Sequence, residues 1–188
     1  MEELEHNLRL YFDLPKEQIS GVASFFNMER LKKGDYLIKL DSHHHRMALV
    51  QTGMLRIFTQ RDHKEITQWI STPGYMAVDI AGFLFSQPSR WNIQATTDSI
   101  VYTISLSDYN ELHKAVPGWA EAEKAFLNKC FIMMESRILG FLSLTAEERY
   151  HELFNQNPSL FNQVPLQYIA SMLGMTPETL SRIRKGIS

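Results

Sequence analysis

Cysteine is nearly absent from this sequence of 188 residues, in which Cys130 is the only example. A single cysteine cannot form an intramolecular disulfide, and it excludes zinc or iron–sulfur sites built from several cysteines. No apolar run approaches the length of a membrane span, and the N-terminal residues lack the apolar core of a signal peptide. We therefore expect a cytoplasmic protein that has no membrane partner.

An excess of charge of one sign is also lacking, because 19 Lys and Arg residues against 21 Asp and Glu residues give a net charge of −2. This value excludes a generally basic nucleic-acid coat protein, but it leaves DNA binding open because the field that matters is local. Arg182, Arg184 and Lys185 concentrate positive charge near the C-terminal end. The sequence also lacks a nucleophile elbow, a phosphate-binding glycine loop and paired catalytic carboxylates. We therefore expect no enzyme activity, no catalytic residues and no required cofactor.

The most informative stretch is residues 166–185, which predict a helix, a tight turn and a second helix. Ile169, Ala170 and Leu173 share one helical face, and Gly174 follows where a helix end favours positive φ. Thr176 can cap the next helix, with a proline at its first position. This residue order is that of a helix-turn-helix, whose second helix enters the major groove of DNA. An ordinary helical hairpin is the alternative, but the polar outward face favours DNA binding.

Residues 32–107 contain short apolar stretches separated by turn residues, among them Gly34, Gly53 and Gly74. Many short strands at this spacing predict an antiparallel β-roll or barrel, a fold that can enclose a small ligand. One apolar segment, residues 75–90, is too irregular for a strand and predicts a helical turn followed by a loop. It is the expected place for a ligand cassette, with a plain connecting turn as the alternative. The predicted strands cover residues 36–40, 47–50, 54–59, 65–70, 91–95 and 100–105.

Helices are predicted on both sides of the roll, over residues 1–31, 108–113 and 119–141. The longest of these carries apolar residues at near-heptad spacing, which favours self-association. Packing of this helix on the roll itself is the alternative. Thr145 and Glu148 then form a capping box that begins the helix of the C-terminal region.

A β-roll, a long helix and a helix-turn-helix, in this order, resemble the bacterial catabolite activator/fumarate–nitrate regulator (Crp/Fnr) family of transcription regulators. The resemblance covers nearly the whole chain. It rests on the glycine landmarks KKGDYLI, VQTGMLRIF and PGYM, on SIVYTISLSDYNEL, and on the recognition segment LGMTPETLSRIRK, of which ETLSR is the most telling part.

This resemblance implies an α+β fold with a cyclic-nucleotide-binding-like antiparallel β-roll, a long central dimerisation helix and a C-terminal helix-turn-helix domain. The expected domains are residues 1–116 for the sensor roll with its flanking helices, 117–144 for the dimerisation helix and hinge, and 145–188 for DNA binding. The wing that often follows the recognition helix is expected to be absent or truncated.

The implied partners are a second copy of the chain, palindromic double-stranded DNA with a TGA-like half-site, and RNA polymerase as a further candidate. The expected dimer interface consists of Trp119, Phe126 and Met133. The expected DNA-binding residues are Thr176, Glu178, Thr179, Ser181, Arg182 and Lys185.

The expected effector pocket departs from the family pattern. Family members that bind cyclic nucleotide have a Gly-Glu-Leu motif that holds the ribose and an Arg-Ser or Arg-Thr pair that binds the phosphate. Here residues 77–80 read Ala-Val-Asp-Ile and residues 89–91 read Ser-Arg-Trp, with the arginine one place late. We therefore expect an effector other than cyclic AMP, in a pocket formed by Asp79, Ile80, Ser89, Arg90 and Trp91.

Two other functions remain open from the residues alone. His43, His44 and His45 suggest a cupin-like metalloenzyme, although adjacent histidines in a strand would point to opposite faces. A solvated loop is the simpler interpretation, and no metal site is expected. The other alternative is a ligand-sensing module that signals through protein contacts. Cys130 is expected to be a buried, inert thiol.

Overall fold

The protein is described here by a computed structural model that covers residues 2–186. An antiparallel β-roll forms the middle of the chain, with helices before and after it. The strands are β1 (Asn27–Leu31), β2 (Tyr36–Ile38), β3 (Arg46–Thr52), β4 (Leu55–Arg61), β5 (Lys64–Ser71), β6 (Met76–Ala77), β7 (Asn92–Ala95) and β8 (Ser99–Ser105). The helices are α1 (Glu2–Phe12), α2 (Lys16–Ala23), α3 (Ile80–Phe85), α4 (Leu106–Ala115), α5 (Trp119–Ser143), α6 (Ala146–Gln156), α7 (Leu160–Gln163), α8 (Leu166–Met172) and α9 (Pro177–Gly186).

The roll consists of two four-stranded antiparallel sheets, in the orders β1-β8-β3-β6 and β2-β7-β4-β5. Apolar side chains of both sheets, such as Val50, Ile57 and Ile93, form one buried cluster between them. Glycines with positive φ, including Gly34 and Gly53, form turns between strands. The antiparallel roll expected from the sequence is confirmed.

A second apolar cluster joins the roll to the helices α1, α2 and α4 and to the N-terminal half of α5. Its centre is aromatic: the ring centroid of Phe12 lies 4.8 Å from Trp119 and 5.2 Å from Phe126. Tyr109 packs edge-on against Trp119, with ring centroids 5.4 Å apart. Half of the long helix is therefore part of the core of the chain itself.

The predicted helices and strands are present with small changes at their ends, and two predictions were wrong. Residues 75–90 were expected to contain no strand, but Met76–Ala77 form β6, which pairs with β3. Residues 27–31 were included in a helical region, but they form strand β1 and pair with β8 from Asn27↔Thr103 to Leu31↔Ser99. The sequence NMERL has no regular alternation of apolar and polar residues over its length, so pairing with β8 determines its structure. The helical turn expected near residue 80 is present as α3, which Asp79 caps.

The C-terminal helices pack against the roll at β5 and the neighbouring β4, and their apolar core includes Ile70 of β5. Arg56 on β4 has a side chain only 1% exposed, and its guanidinium lies 3.6 Å from the ring centroid of Tyr168 on α8. Its Nη1 donates to Glu65 at 2.6 Å and its Nε donates to Thr67 at 2.9 Å. This arginine therefore connects the roll to the C-terminal helices.

Ser171 on α8 adds backbone contacts to the same junction. Its Oγ accepts a hydrogen bond from the Thr67 backbone N–H at 2.9 Å and lies 3.3 Å from the carbonyl oxygen of Glu65. Strand β5 is the outer strand of its sheet, so α8 covers this edge. Among residues 2–186, no helix is both long and apolar enough to span a membrane.

Candidate DNA interface and effector pocket

The turn between α8 and α9 is held by two backbone hydrogen bonds at the end of α8. The N–H of Gly174 donates to Ser171 and the N–H of Met175 donates to Ala170, which is the Schellman arrangement. Gly174 has φ +67°, and a Cβ at this position would lie 2.8 Å from the ring of Phe141. The turn therefore needs glycine for its backbone conformation and also for space.

Helix α9 begins at a cap formed by Thr176, whose hydroxyl accepts from the Thr179 backbone N–H at 3.2 Å. Leu180 is fully buried against α8, which fixes the face that α9 turns toward solvent. The outward face lines a shallow groove formed by Pro177, Glu178, Ser181, Arg182 and Lys185.

The predicted DNA-binding residues divide into two groups. Glu178, Ser181, Arg182 and Lys185 are exposed along one face, whereas Thr176 is the cap and Thr179 is half-buried. Hydrogen bonds from its own backbone N–H and from Thr176 lower the pKa of Glu178, which keeps this carboxylate ionised. The exposed face thus presents an acceptor and one cation on the first two turns of α9, and a second cation, Lys185, in its last turn.

Four of the predicted effector residues, Asp79, Ser89, Arg90 and Trp91, form a closed polar cluster around the carboxylate of Asp79. One oxygen of its carboxylate accepts from the Arg90 backbone N–H at 2.8 Å, and the other accepts from the Gly82 N–H at 3.3 Å. The Ser89 hydroxyl lies 2.9 Å from both Asp79 Oδ2 and the carbonyl of Trp91, and donates to one of them at a time. Asp79 and Ser89 are both 3% exposed, whereas the Arg90 side chain faces solvent. A buried carboxylate therefore holds the donors that an anionic ligand would need.

The space between the roll and α5 is small. A cavity of about 90 Å³ there is lined by side chains that include Tyr11, Trp69, Ile80 and Cys130. Burial raises the pKa of Tyr11 to about 12 and raises the pKa of the Cys130 thiol, so both groups stay protonated at neutral pH. Ligand pockets for drug-sized molecules have volumes of about 300–1,000 Å³, so this cavity does not fit a nucleotide. Of the predicted pocket residues, only Ile80 lines it.

The histidine loop is an open surface feature beside β2. His43 and His45 have ring centroids 6.0 Å apart at an interplanar angle of 87°. In residues 2–186, no three His, Cys, Asp or Glu side chains are placed to hold a metal ion.

The predicted dimer interface was wrong for Trp119 and Phe126. These side chains are 1% and 3% exposed, because they pack in the aromatic cluster of the same chain. Met133 is 39% exposed but lies on the same inward side of α5, where it lines cavities toward the roll. The outward face of α5 has its own apolar surface, which we call the outer stripe: Phe131, Ile132, Ile138, Leu139 and Leu142.

The outer stripe and the inward face are distinct because an α-helix has 3.6 residues per turn. Phe131 and Ile138 recur after seven residues, as do Ile132 and Leu139. At 100° per residue, Phe131 and Ile138 lie about half a turn from Met133 and Gly140. Both faces of α5 are apolar, and only one of them is covered by the chain itself.

Comparisons with known proteins agree with this architecture. Residues 28–115 match the family model of the cyclic nucleotide-binding domain. FixK2 from Bradyrhizobium japonicum has 21% identity and a TM-score of 0.72, over 86% of this chain and 84% of that chain. A CooA mutant from Carboxydothermus hydrogenoformans has 21% identity and a TM-score of 0.65, over 88% and 78%. The Thermus thermophilus catabolite activator protein has 21% identity and a TM-score of 0.60, over 96% and 86%.

At these identities the similarity concerns the fold, and the Crp/Fnr-type architecture expected from the sequence is confirmed. A search of curated proteins found no significant match. Sequence reasoning missed Arg56, whose signal was a lone charge within the apolar run of β4. It also missed Arg137 and Arg149, whose guanidinium groups both lie over the ring of Phe141 in the folded chain.

Proposed function

We propose that this chain is a sequence-specific DNA-binding transcription regulator of the Crp/Fnr type, because residues 28–115 match the cyclic nucleotide-binding domain model and the fold is similar to that of FixK2. The proposed domains are residues 1–116 for sensing, 117–144 for dimerisation and 145–188 for DNA binding. The cytoplasmic location expected from the sequence goes with this function, and RNA polymerase remains a candidate partner.

The exposed face of α9 is the main support for DNA binding. Glu178, Ser181 and Arg182 lie on the first two turns of this helix, and Lys185 follows one turn later. Packing does not require these polar residues, because Leu180 alone is fully buried in the helix. In a helix-turn-helix, the N-terminal residues of the second helix contact base edges in the major groove.

The side chains on this face have complementary chemistry for one base pair. Arginine donates two hydrogen bonds to guanine O6 and N7, and a carboxylate accepts from cytosine N4. We therefore assign base readout to Arg182 and Glu178, and a phosphate contact to Lys185. The resemblance to the family implies a TGA-like half-site for this pair.

The proposed dimer forms through the outer stripe rather than through Trp119 and Phe126. Large exposed apolar side chains at heptad spacing are typical of a helix that packs against a copy of itself. Leu142 is 81% exposed and Phe131 is 71% exposed, so both have most of their surface available for burial. Two copies would place two recognition helices on half-sites of a palindrome, about 34–36 Å apart.

The proposed effector is a small molecule other than cyclic AMP. A nucleotide phosphate placed at the cluster would meet the buried carboxylate of Asp79, and two anions in one buried site repel each other. Calorimetry with cyclic AMP and cyclic GMP is expected to show no binding heat. Micromolar binding of cyclic AMP that Arg90→Ala abolishes would overturn this part of the proposal.

Selection of bound sequences from a random duplex pool tests the main proposal. The unmodified protein is expected to enrich a palindrome. Arg182→Ala is expected to lose about 1–3 kcal/mol of binding free energy and to relax the preference at one base pair. Lys185→Ala should weaken binding to all sequences about equally, because a phosphate contact carries no sequence information. The control is Arg9→Ala, an exposed arginine on α1. An unchanged half-site with Arg182→Ala, or no enrichment at all, would contradict the assignment.

A further inference from the structure

A partly open cavity of about 350 Å³ lies where the roll, the end of α5 and the C-terminal helices meet. We call it the hinge cavity, because residues of the roll, of α5 and of the C-terminal helices α6 and α8 form its walls. Trp69 comes from β5, Arg137 and Phe141 come from the end of α5, and Arg149 and Leu153 come from α6. Its volume is within the range of about 300–1,000 Å³ that small-molecule pockets have.

Two guanidinium groups meet at this cavity on one aromatic ring. The guanidinium carbons of Arg137 and Arg149 lie 5.3 Å and 5.2 Å from the ring centroid of Phe141. Arg137 is also 5.3 Å from the centroid of Trp69. Each arginine is anchored to backbone oxygens: Arg137 Nη2 donates to Met172 at 2.7 Å, and Arg149 Nε donates to Leu173 at 3.0 Å. The two cations are therefore held in place.

Within residues 2–186, neither cation has a carboxylate partner at ion-pair distance. Among the described residues, the ion pairs involve other side chains, and none includes Arg137 or Arg149. Both arginines are half-buried, and burial lowers the pKa of Arg137. Two like charges in a partly desolvated place are unfavourable without a counter-charge. Glu152 is the carboxylate that lines the cavity, on its exposed side.

We propose that the hinge cavity binds a small organic anion, a carboxylate or phosphate carried on an apolar body of aromatic size. The planar guanidinium fork suits both anions, and donors that remain on Arg137 and Arg149 can serve them. Trp69, Met133 and Leu153 provide the apolar wall for the body. The site is separate from the Asp79 cluster, and its ligand would contact both the roll and the C-terminal helices.

Isothermal titration calorimetry of the full chain with three matched probes tests this proposal. The probes are 1-naphthoate, 1-naphthyl phosphate and the neutral 1-naphthamide. At least one anion is expected to bind about tenfold or more tightly than the amide, because a hydrogen bond to a charged group contributes more than a neutral one. The tighter of the two anions identifies the class of ligand.

Variants then locate the binding. Arg149→Gln is expected to weaken the anion about tenfold or more, whereas Arg9→Gln, on exposed α1, is expected to leave it unchanged. Glu152→Gln is expected to tighten binding, because it removes the repelling carboxylate from the cavity edge. This exposed substitution keeps the test valid if circular dichroism shows that Arg149→Gln is unfolded.

Equal affinity for naphthoate, naphthyl phosphate and naphthamide would overturn the proposal, as would anion binding that neither Arg149→Gln nor Glu152→Gln changes. Anion binding in the hinge cavity is separate from DNA recognition and is measured without DNA. If the anions do not bind, the proposed function as a DNA-binding regulator is unaffected. If no palindrome is selected, the proposed anion site is unaffected.

Discussion

Replacement of Gly174 by alanine is the sharpest test of the turn that positions α9. Two separate costs are expected, because the residue has φ +67° and its Cβ would approach the Phe141 ring to 2.8 Å. The left-handed conformation costs a non-glycine residue about 1–2 kcal/mol. Displacement of the ring adds to this, so we expect a total loss of about 2 kcal/mol in the free energy of unfolding.

For a chain of this size, a loss of about 2 kcal/mol lowers the melting temperature by about 4–8 °C. Thermal unfolding followed by circular dichroism measures the change. The matched control is Gly21→Ala in the middle of α2, where a Cβ has nothing within 4 Å. Because alanine favours a helix over glycine, this control is expected to be neutral or stabilising by about 0.5–1 kcal/mol.

Phe141→Leu separates the two costs. In this background the ring contact is removed, so Gly174→Ala is expected to lower the free energy of unfolding only by the cost of the backbone conformation. The difference between the two Gly174→Ala effects is the coupling between the residues. Equal melting temperatures for Gly174→Ala and the unmodified protein would refute the reasoning, since neither cost would then be present.

Three further predictions address the other sites. Asp79→Ala removes the acceptor of buried donors and is expected to lower the free energy of unfolding, measured with urea, by about 1–3 kcal/mol. A loss below about 0.5 kcal/mol would contradict the role of Asp79 as the acceptor of these donors. Ile138→Asp is expected to give a monomer in sedimentation velocity. The control Leu10→Asp, at an equally exposed apolar residue, is expected to remain a dimer. A monomeric unmodified protein would refute the proposed dimer. Hydrogen bonds from Thr145 hold the pKa of Glu148 below its ordinary value of 4.5, so its stabilisation is present above that pH and is lost as the pH falls through the lower folded value. Glu148→Gln should remove this part of the acid dependence of unfolding, and an unchanged dependence would contradict it.

The parts of the fold with local signals could be predicted from the sequence. Turn glycines separated the strands of the roll, and the Thr145 capping box is present as expected. The turn at Gly174 is specified by residues close to it in the chain, so its positive φ followed from the pattern. In these cases the residues that interact are neighbours in sequence.

The wrong predictions depended on contacts between distant residues. Both faces of α5 are apolar, so periodicity alone could not decide that Trp119 packs inward and Leu142 faces outward. The pairing of residues 27–31 with β8 could not be predicted either, because the paired residues are distant in sequence. Arg137 and Arg149 are 12 positions apart on different helices, and only the folded chain places both guanidinium groups near the ring of Phe141.

The contact between Ser171 and Thr67 has a consequence for solubility. An uncovered outer strand presents backbone N–H and C=O groups that can pair with a strand of another molecule. Helix α8 occupies this edge of β5 and supplies a side-chain acceptor where a neighbouring strand would otherwise bind. Any movement of the C-terminal helices away from the roll therefore exposes the edge of β5 to pairing with a strand of another molecule. Substitutions that loosen the junction, such as Ser171→Ala, should promote aggregation before they unfold the roll.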